Sequence, residues 1–274
     1  MKAKEFTRKI FEHIKSNWYM PIKSMYSYSE QEQKVGTWIG GYPVYEKTLF
    51  GITPSETTPA GSTPTGGQIS HLPIDSPIDN VISIEALVRR SGGVWSPMPV
   101  VNDTLSYFGK VNVLDNTSTD NPNSVTCIIG ANELVSLPIM VTVRYTKVGD
   151  LPDTDKVPVN PLIEYSFKEQ IIGYWVNRKP LYKKTIEIGE LPNNSAKTVP
   201  HGVSDLEFVS TICGTAKRPG SNVVYIPLPF ADSGTNAASI KIYCDNQNIT
   251  VQTSSNRSDM SGYVTMSYTK TTDY

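Results

Sequence analysis

Three residue types used in nucleophilic catalysis stand together in the segment PHGVSD, which holds His201, Ser204 and Asp205. A Ser-His-Asp triad activates its serine through a proton relay, and it gathers its three members from distant parts of a fold. Neighbours in one short segment cannot adopt that geometry. We therefore expect Ser204 to be a turn or capping residue and not a nucleophile.

Oxygen-bearing side chains occupy alternate positions of DNTSTDN, residues 115–121. Such side chains are the usual ligands of Ca²⁺, but an EF-hand loop also needs a glycine at its sharp turn and a closing bidentate glutamate. Neither is present in this segment. The pattern therefore favours a solvated hairpin turn over a calcium site.

The cysteines and histidines do not form a metal-ligating pattern. A structural zinc site needs closely spaced Cys or His ligands, whereas the histidines are scattered along the chain: His13, His71 and His201. The odd number of cysteines rules out complete disulfide pairing, and they occupy unrelated places in the two halves: Cys127, Cys213 and Cys244. We expect these cysteines to be buried strand residues.

Other enzyme signatures are missing from the sequence. It contains no phosphate-binding Gly-rich loop, no His-Glu-x-x-His and no Gly-x-Ser-x-Gly. Paired carboxylates for glycoside cleavage need spatial and not sequential proximity, so they stay open as an alternative, although no pair is indicated. We predict that the chain is not an enzyme and uses no metal or cofactor.

Composition points to an all-β protein. The formal net charge is −1 and 19% of the residues are charged, which gives no electrostatic footprint for nucleic acid. Tyr (15) outnumbers Phe (7), and turn-forming residues are frequent. We find no apolar run of membrane-spanning length and no signal-peptide core, so we expect no membrane insertion and folding in a cytoplasm.

A long repeat organises the chain. The segment YSEQEQKVGTWIGGYPVYEKT, residues 28–48, returns as YSFKEQIIGYWVNRKPLYKKT, residues 165–185, with 10 of the 21 positions identical and an offset of 137 residues. VTVRYTK at 141–147 returns as VTMSYTK at 264–270, an offset of 123 residues. Periods above a hundred residues indicate two copies of a domain and not the short units of a solenoid.

Each copy of the repeated segment predicts a β-hairpin. Aromatic and β-branched residues favour strands, and Gly40-Gly41 and Asn177-Arg178 lie where a tight turn needs positive φ. We expect the aromatic residues of the hairpins to be structural anchors: Trp38, Tyr45, Trp175 and Tyr182. Each Trp is expected in the core of its own domain or in a seam with a neighbouring copy, with ligand contact as the alternative.

The N-terminus has a different pattern. Its apolar residues follow the spacing of one helix face: Phe6, Ile10, Phe11, Ile14 and Trp18. A lone helix of this length is marginal in water, so its apolar face must pack on something. We predict an anchor that binds a partner or further copies of the chain; packing on the first domain and, less favoured, lying on a membrane are the alternatives.

We predict an all-β fold with two tandem β-sandwich domains, preceded by a short N-terminal amphipathic α-helix. The helix covers residues 1–24, the domains cover 25–148 and 162–274, and a Pro-rich linker covers 149–161. The Pro/Thr-rich stretch 53–67 is expected to be an inserted surface loop that orders poorly. Strands are expected near 81–88, 107–114, 125–129, 134–139, 140–145, 208–213, 223–227, 239–244, 249–253 and 263–268.

The repeat resembles a module of bacteriophage tail and fibre proteins. In that module, Tyr-Ser-x-x-Glu-Gln-x-x-Gly-x-Trp-x-x-x-x-Pro-x-Tyr-x-Lys precedes Leu-Pro-Asn-Asn, His-Gly and a final Tyr-Thr-Lys-Thr-Thr-Asp. The second copy carries all of these between residues 165 and 273. The first copy keeps the opening and the Tyr-Thr-Lys close, and has His71-Leu72 for His-Gly. The resemblance implies a virion protein that works as a trimer or other symmetric oligomer, and it identifies no catalytic residue.

The expected function is that of a tail-fibre or receptor-binding component that mediates attachment to the host surface. The alternative is a structural adaptor or decoration protein that joins other virion proteins. The expected partners are further copies of the chain, other virion proteins through the N-terminal helix, and a glycan or protein of the host surface. The expected location is the virion tail or fibre.

Overall fold

The computed structural model describes residues 28–59, 62, 66–101, 108–115, 123–152, 164–220, 223–231 and 239–273. These residues form β-strands and short 3₁₀ helices, so the chain is all-β, as predicted. None of the helices in these ranges is long and apolar enough to cross a membrane. The predicted N-terminal helix, most of the segment 115–121 and most of the linker lie outside the described residues.

The strands fall into two sets in chain order. The N-terminal set comprises β1 (Gln33–Thr37), β2 (Pro43–Ile52), β3 (Ile69–Pro73), β4 (Ile78–Arg89), β5 (Trp95–Met98), β6 (Val100–Val101), β7 (Phe108–Asp115), β8 (Asn123–Ile129) and β9 (Pro138–Lys147). The C-terminal set comprises β10 (Gln170–Tyr174), β11 (Pro180–Glu190), β12 (Ala196–Pro200), β13 (Leu206–Arg218), β14 (Val223–Leu228), β15 (Ile240–Cys244), β16 (Asn248–Thr253) and β17 (Ser261–Lys270). The 3₁₀ helices are Gly66–Gln68, Ser91–Gly93, Asn132–Leu134 and Val176–Arg178.

The two sets have the same order of strand pairing. The N-terminal set has a sheet with the order β1-β2-β9-β4-β5, and the C-terminal set repeats it as β10-β11-β17-β13-β14. The remaining strands pair in the order β7-β8-β3 and β15-β16-β12. We call the strands and residues that match in this comparison counterparts.

The β1–β2 hairpin and the β10–β11 hairpin pair their strands in the same register, residue by residue. Lys34 lies opposite Tyr45 and Gly36 opposite Val44, with a bulge between. In the other set, Ile171 lies opposite Tyr182 and Gly173 opposite Leu181, again with a bulge between. All these pairs keep the offset of 137 residues found in the sequence. The repeated segment therefore specifies one hairpin twice.

Each set surrounds its own apolar core. In the N-terminal set, the inward residues of β9 cluster with those of β4, β7 and β8, and include Val141, Val143, Val111 and Val125. In the C-terminal set, β17 clusters in the same way with β15 and β16, and includes Val264, Met266, Ile240 and Val251. Alternation along the strands places these residues on one face, because successive side chains point to opposite sides of a sheet.

One strand pairing joins the two sets. β14 of the C-terminal set pairs with β7 of the N-terminal set, with Tyr225 opposite Val113 and Val224 opposite Leu114. The Tyr225 ring belongs to the core of the N-terminal set, and its hydroxyl donates to the Asp79 carbonyl at 2.5 Å. The sets therefore share a continuous sheet as well as a covalent connection.

Most of the expected strands are confirmed, with one exception. The segment 134–139 was expected to be a strand, but Asn132–Leu134 is a 3₁₀ helix and the strand begins only at Pro138. Leu134 is fully buried beneath this turn. Its apolar run reflects burial of a turn and not strand pairing, a distinction that a short apolar run cannot make.

The prediction of a poorly ordered loop at 53–67 is wrong for its described residues. Thr53 and Thr58 are almost fully buried. The Thr53 hydroxyl donates to the Leu134 carbonyl at 2.5 Å and accepts from the Leu137 amide at 2.8 Å. The Thr58 amide donates to the Ile129 carbonyl at 2.7 Å. Threonine hydroxyls supply hydrogen bonds to neighbouring backbone groups, so composition understated how firmly this loop is packed.

The match of His71-Leu72 with His-Gly is also wrong. The Ile74 amide donates to the Asn123 carbonyl at 2.7 Å, and the His201 amide donates to the Gln247 carbonyl at 3.1 Å. These bonds follow directly after β3 and β12, so Ile74 and not His71 is the counterpart of His201. His201 of the C-terminal set therefore stands where the N-terminal set has the apolar core residue Ile74.

Candidate functional site

A tight turn presents Trp38 at the tip of the β1–β2 hairpin. The Trp38 amide donates to the Tyr42 carbonyl at 2.7 Å, and the Gly41 amide donates to the Trp38 carbonyl at 2.9 Å. Gly40 and Gly41 have φ of 84° and 87°. Only residues without a Cβ adopt this conformation without cost, which explains why two glycines stand here.

The β10–β11 hairpin has the same hydrogen bonds. The Trp175 amide donates to the Lys179 carbonyl at 2.7 Å, and the Arg178 amide donates to the Trp175 carbonyl at 3.1 Å. Arg178 takes a φ of 63°, a conformation that is uncommon for a residue other than glycine. Both tryptophans are therefore positioned by equivalent turns, as the repeat predicts.

Trp38 packs in a seam between the two sets. Its ring lies 5.3 Å from the Tyr165 ring and 5.3 Å from the Tyr263 ring, the latter edge-on at 90°. Backbone contact reinforces the seam, since the Tyr165 amide donates to the Thr37 carbonyl at 2.9 Å. Edge-to-face and tilted aromatic pairs at these distances add to the energy of burial. Of the two positions expected for Trp38, a domain core or a seam with the other copy, the structure therefore shows the seam.

Trp175 lies in an exposed apolar patch. Its ring is 39% exposed and packs against Phe208 at 5.6 Å between ring centres. Neighbouring side chains are more exposed still, with Tyr174 at 75%. We define the Trp175 patch as Ile171, Tyr174, Trp175, Val176 and Phe208, all of which are exposed. Contiguous apolar patches on a protein surface mark interaction sites.

An apolar groove opens on the outer face of the N-terminal set. It has a volume of about 300 Å³ and is lined by residues that include Tyr28, Leu87, Pro97, Met98 and Met140. The Tyr28 side chain is 54% exposed. We call this feature the Tyr28 groove. Its polar groups include Glu85 and Thr142, and a groove of this kind suits an inserted aromatic side chain.

A half-buried carboxylate ties the N-terminal hairpin to its sheet. Glu32 accepts hydrogen bonds from the Tyr145 hydroxyl at 2.6 Å, the Ser76 hydroxyl at 2.5 Å and the Lys147 ammonium. Lys147 also lies 4.1 Å above the Tyr45 ring. Burial alone would raise the pKa of Glu32, but these donors and the charge of Lys147 hold it below its ordinary value.

The C-terminal set repeats this cluster with its counterparts. The Tyr268 hydroxyl and the Lys270 ammonium both donate to Glu169 at 2.5 Å. Tyr182 stacks on Tyr268 at 5.8 Å, and Lys270 lies 4.8 Å above the Tyr182 ring. Tyr45 and Tyr182 therefore act in matched polar and aromatic clusters at the root of each hairpin.

Charged residues line the seam near Trp38. The Arg144 guanidinium donates to Glu46 at 2.7 Å and to Glu85 at 2.8 Å. Lys183 lies 4.5 Å above the Tyr165 ring. Burial and the nearby Arg144 charge lower the pKa of Lys183 to about 8, and burial raises the pKa of Tyr165 to about 12. The seam therefore disfavours charge on Lys183.

The residues of the PHGVSD segment have structural contacts. His201 is almost fully buried, accepts from the Val203 amide at 3.0 Å through Nδ1, and donates to the Asp245 carbonyl at 3.2 Å through Nε2. Asp205 has a φ of 57° in a turn, and its carbonyl accepts from the Thr271 amide at 2.8 Å. Both ring nitrogens of His201 are thus occupied by backbone groups.

Cysteines and acidic residues form no metal site in the described part of the chain, where no group of three or more potential ligands is found. Cys127 is fully buried and Cys244 half-buried, whereas Cys213 is exposed. Burial raises the pKa of Cys127 to about 12, which makes it an unreactive core thiol.

Sequence reasoning missed several contributors to these sites. Glu32 and Glu169 are identical in the repeat, and each Tyr-Thr-Lys close supplies their partners. Because these two glutamates are identical in the two copies although they are not apolar core residues, their identity is the sequence signal that could have identified them. Tyr263 gave no such signal, because its counterpart is Met140. The helix-face residues Phe6, Ile10, Phe11, Ile14 and Trp18 lie outside the described residues.

Comparison with protein-family models, with curated proteins and with solved structures found no match.

Proposed function

We propose that the chain is a structural protein of a bacteriophage virion, a tail-fibre or receptor-binding component that attaches the particle to the host surface. The observation that carries this proposal is the repeated segment 28–48 and 165–185 and its resemblance to the tail and fibre module. A fibre component has to be stable and multivalent, and repeated β-domains meet both needs, because weak surface contacts multiply with copy number.

The proposed architecture is one β-sandwich module present twice, in residues 25–148 and 162–274, with residues 149–161 between the copies. Three observations support it. The strand order of the two sets matches, and so do the hairpin registers at the offset of 137 residues. Each set also has its own apolar core. Duplication of a single domain accounts for all of these matches.

The proposed anchor is the N-terminal helix, residues 1–24, whose apolar face would bind other virion proteins. Its support is the helical spacing of Phe6, Ile10, Phe11, Ile14 and Trp18. The proposed oligomer is a homotrimer, as the resemblance implies. The role needs no catalytic residue, metal or cofactor, and its ligand at the host surface is a glycan or a protein.

Labelled particles test the virion role. A gold label at Tyr274 should appear on the tail or its fibres in electron micrographs of phage whose genome encodes this chain. Replacing Phe6, Ile10 and Phe11 with Ser should give folded protein that is missing from the particle. Replacement of Lys9 and Lys15, on the opposite helix face, should leave incorporation unchanged. Particles that lack the chain altogether would contradict the proposal.

A second candidate is a structural adaptor that grips neighbouring virion proteins. The Trp175 patch favours it, because exposed aromatic and aliphatic side chains are typical of protein interfaces. An adaptor would be labelled at a junction inside the tail or capsid, whereas a receptor-binding component would be labelled at a distal tip.

A further inference from the structure

The seam between the two strand sets uses two unlike surfaces. The N-terminal set contributes the Trp38 hairpin tip, the Thr37 carbonyl and the outer edge of β7. The C-terminal set contributes the Tyr165 and Tyr263 rings and the outer edge of β14. A contact between two unlike surfaces is heterologous. Because the two sets have the same strand order, each set also carries its own version of the surface that the other set contributes to the seam. The seam inside one chain leaves these two surfaces unused.

The unused surfaces carry the counterparts of the seam aromatics. Trp175, the counterpart of the seam tryptophan, is exposed at the end of the C-terminal set. The two seam tyrosines correspond to Tyr28 and Met140, and both of these line the Tyr28 groove. One surface thus presents an aromatic side chain, and the other presents an open apolar groove at the matching position. Methionine suits such a groove because its sulfur packs well against aromatic rings.

Strand edges match in the same way. In the seam, β7 pairs with β14. Their counterparts are β15 and β5, and within the described residues each of these is the end strand of its sheet. Ile240, at one end of β15, already exchanges backbone hydrogen bonds with Phe230, and within the described residues it is the rest of that edge, toward Cys244, that is open. An open strand edge is ready to pair with another chain. The seam register, carried to the counterpart strands, places Trp95 of β5 opposite Cys244 of β15 in a second chain.

At two central positions the unused surfaces are more apolar than the seam positions that they match. Tyr174 is 75% exposed and stands where the seam has Thr37. Leu87 stands in the Tyr28 groove where the seam has Thr215, whose hydroxyl donates to the Val81 carbonyl at 2.7 Å. Apolar side chains in place of polar ones indicate surfaces that are covered in the working assembly.

We infer that the chain associates head to tail with further copies of itself by repeating its internal seam between chains. The Trp175 patch of one chain docks in the Tyr28 groove of the next, and β15 of the first pairs with β5 of the second. The inference rests on the duplicated architecture proposed above and is independent of the virion role, because it concerns the purified protein alone.

An engineered disulfide tests the register. Directly opposed residues of an antiparallel pair have Cα atoms about 4.5 to 5.5 Å apart, and a disulfide spans about 4.4 to 6.8 Å. The Trp95→Cys variant of the full chain should therefore form an intermolecular disulfide with the native Cys244 on mild oxidation. Mass spectrometry of the linked peptides identifies the pair.

Two controls separate this link from random oxidation. Trp95→Cys combined with Cys244→Ser should give no such product. Val94→Cys should also give none, because its side chain points to the other face of the strand. Cross-links through the exposed Cys213 would be recognised by their own peptides.

The aromatic contact is tested in the same background. Trp175→Arg added to Trp95→Cys should lower the cross-link yield about tenfold or more, as expected for removal of a central aromatic anchor. Leu151→Arg alters a side chain that is also exposed but lies outside both surfaces, and it should leave the yield unchanged. Circular dichroism checks that each variant is folded.

Two results would overturn the inference. One is unmodified protein that sediments as a monomer at every concentration reached. The other is a Trp95→Cys variant whose intermolecular disulfides avoid Cys244 although the variant is folded. Neither result bears on whether phage particles contain the chain, so failure of this interface and failure of the virion role are distinguishable.

Discussion

Trp38 and Trp175 occupy the same turn and have different surroundings. Their amides donate to carbonyls four residues later at the same distance, 2.7 Å. Trp38 is covered by Tyr165 and Tyr263 from the other strand set, whereas Trp175 touches Phe208 and is 39% exposed. The segment itself determines the local conformation, and the neighbouring set determines burial. Identity between the two copies of the repeat therefore predicts conformation better than it predicts how much a side chain stabilises the fold.

Substitution of the two tryptophans should therefore give unequal results. Trp38→Ala should destabilise the monomer by about 3 kcal/mol, the lower end for a large buried aromatic, because the ring is only partly enclosed. Trp175→Ala should change monomer stability by about 0.5 kcal/mol or less, as for a surface position. Urea unfolding at a concentration where the protein is monomeric measures both values. Equal losses would mean that Trp175 is covered within its own chain.

This contrast also revises an expectation from the sequence. From the repeat we expected both tryptophans to be structural anchors, each in the core of its own domain or in a seam with a neighbouring copy. The sets are joined by the β7–β14 pairing and by the Tyr225 contact with the N-terminal core. Trp38→Ala should thus lower the unfolding temperature of both sets together. Calorimetry would contradict this if one transition fell and a second stayed in place.

The second prediction concerns Lys183, whose counterpart in the other hairpin is Glu46. Burial and the Arg144 charge lower the pKa of Lys183 to about 8. Below pH 8, Lys183 is charged in the folded protein although burial and the Arg144 charge disfavour that state. Between pH 8 and the ordinary lysine pKa, the unfolded chain binds more protons, so this lysine's contribution to stability rises with pH.

Lys183→Met should remove that dependence. We expect the variant to be more stable than the unmodified protein near pH 7, with the difference shrinking by about 2 kcal/mol as pH approaches 10. Comparing the two proteins at each pH cancels the opposite contribution of the core thiol Cys127, whose raised pKa costs stability in alkali. A difference that stays constant with pH would show that the fold does not lower the pKa of Lys183.

How much of this the sequence could predict differs between the two kinds of contact. The hairpins, their turns and the all-β class follow from residues that act locally, such as Gly40-Gly41 and the strand-forming aromatics. The seam does not, because Trp38 meets Tyr263 across more than two hundred residues of chain. Nothing near either residue encodes that meeting. The Tyr28 groove is equally invisible to local patterns, since its lining comes from several separate strands.

The third prediction concerns Glu32 and Glu169, which are alike in the two sets. Each accepts from a tyrosine hydroxyl and a lysine ammonium. Replacement of either with Gln should cost about 1.5 kcal/mol, as for hydrogen bonds to a charged group. The lowered pKa of Glu32 adds stability above its unfolded pKa that is lost as pH falls through the folded value. Acid titration of Glu32→Gln should therefore show a shallower loss; an unchanged acid profile would contradict the role.

The last and smallest effect concerns Thr53, in the loop that is longer in the N-terminal set. Its hydroxyl donates to the Leu134 carbonyl and accepts from the Leu137 amide, and the side chain is 2% exposed. Thr53→Val keeps the shape but leaves both backbone groups with one hydrogen bond fewer, at a cost of about 1 kcal/mol. Thr57→Val, at a half-buried site in the same loop, is the control and should be nearly neutral. If both variants unfold at the same urea concentration as the unmodified protein, the loop is dispensable to the fold. The two sets would then differ at this loop only in its length. The expectation from the Pro/Thr composition, that the loop contributes little to stability, would then be correct.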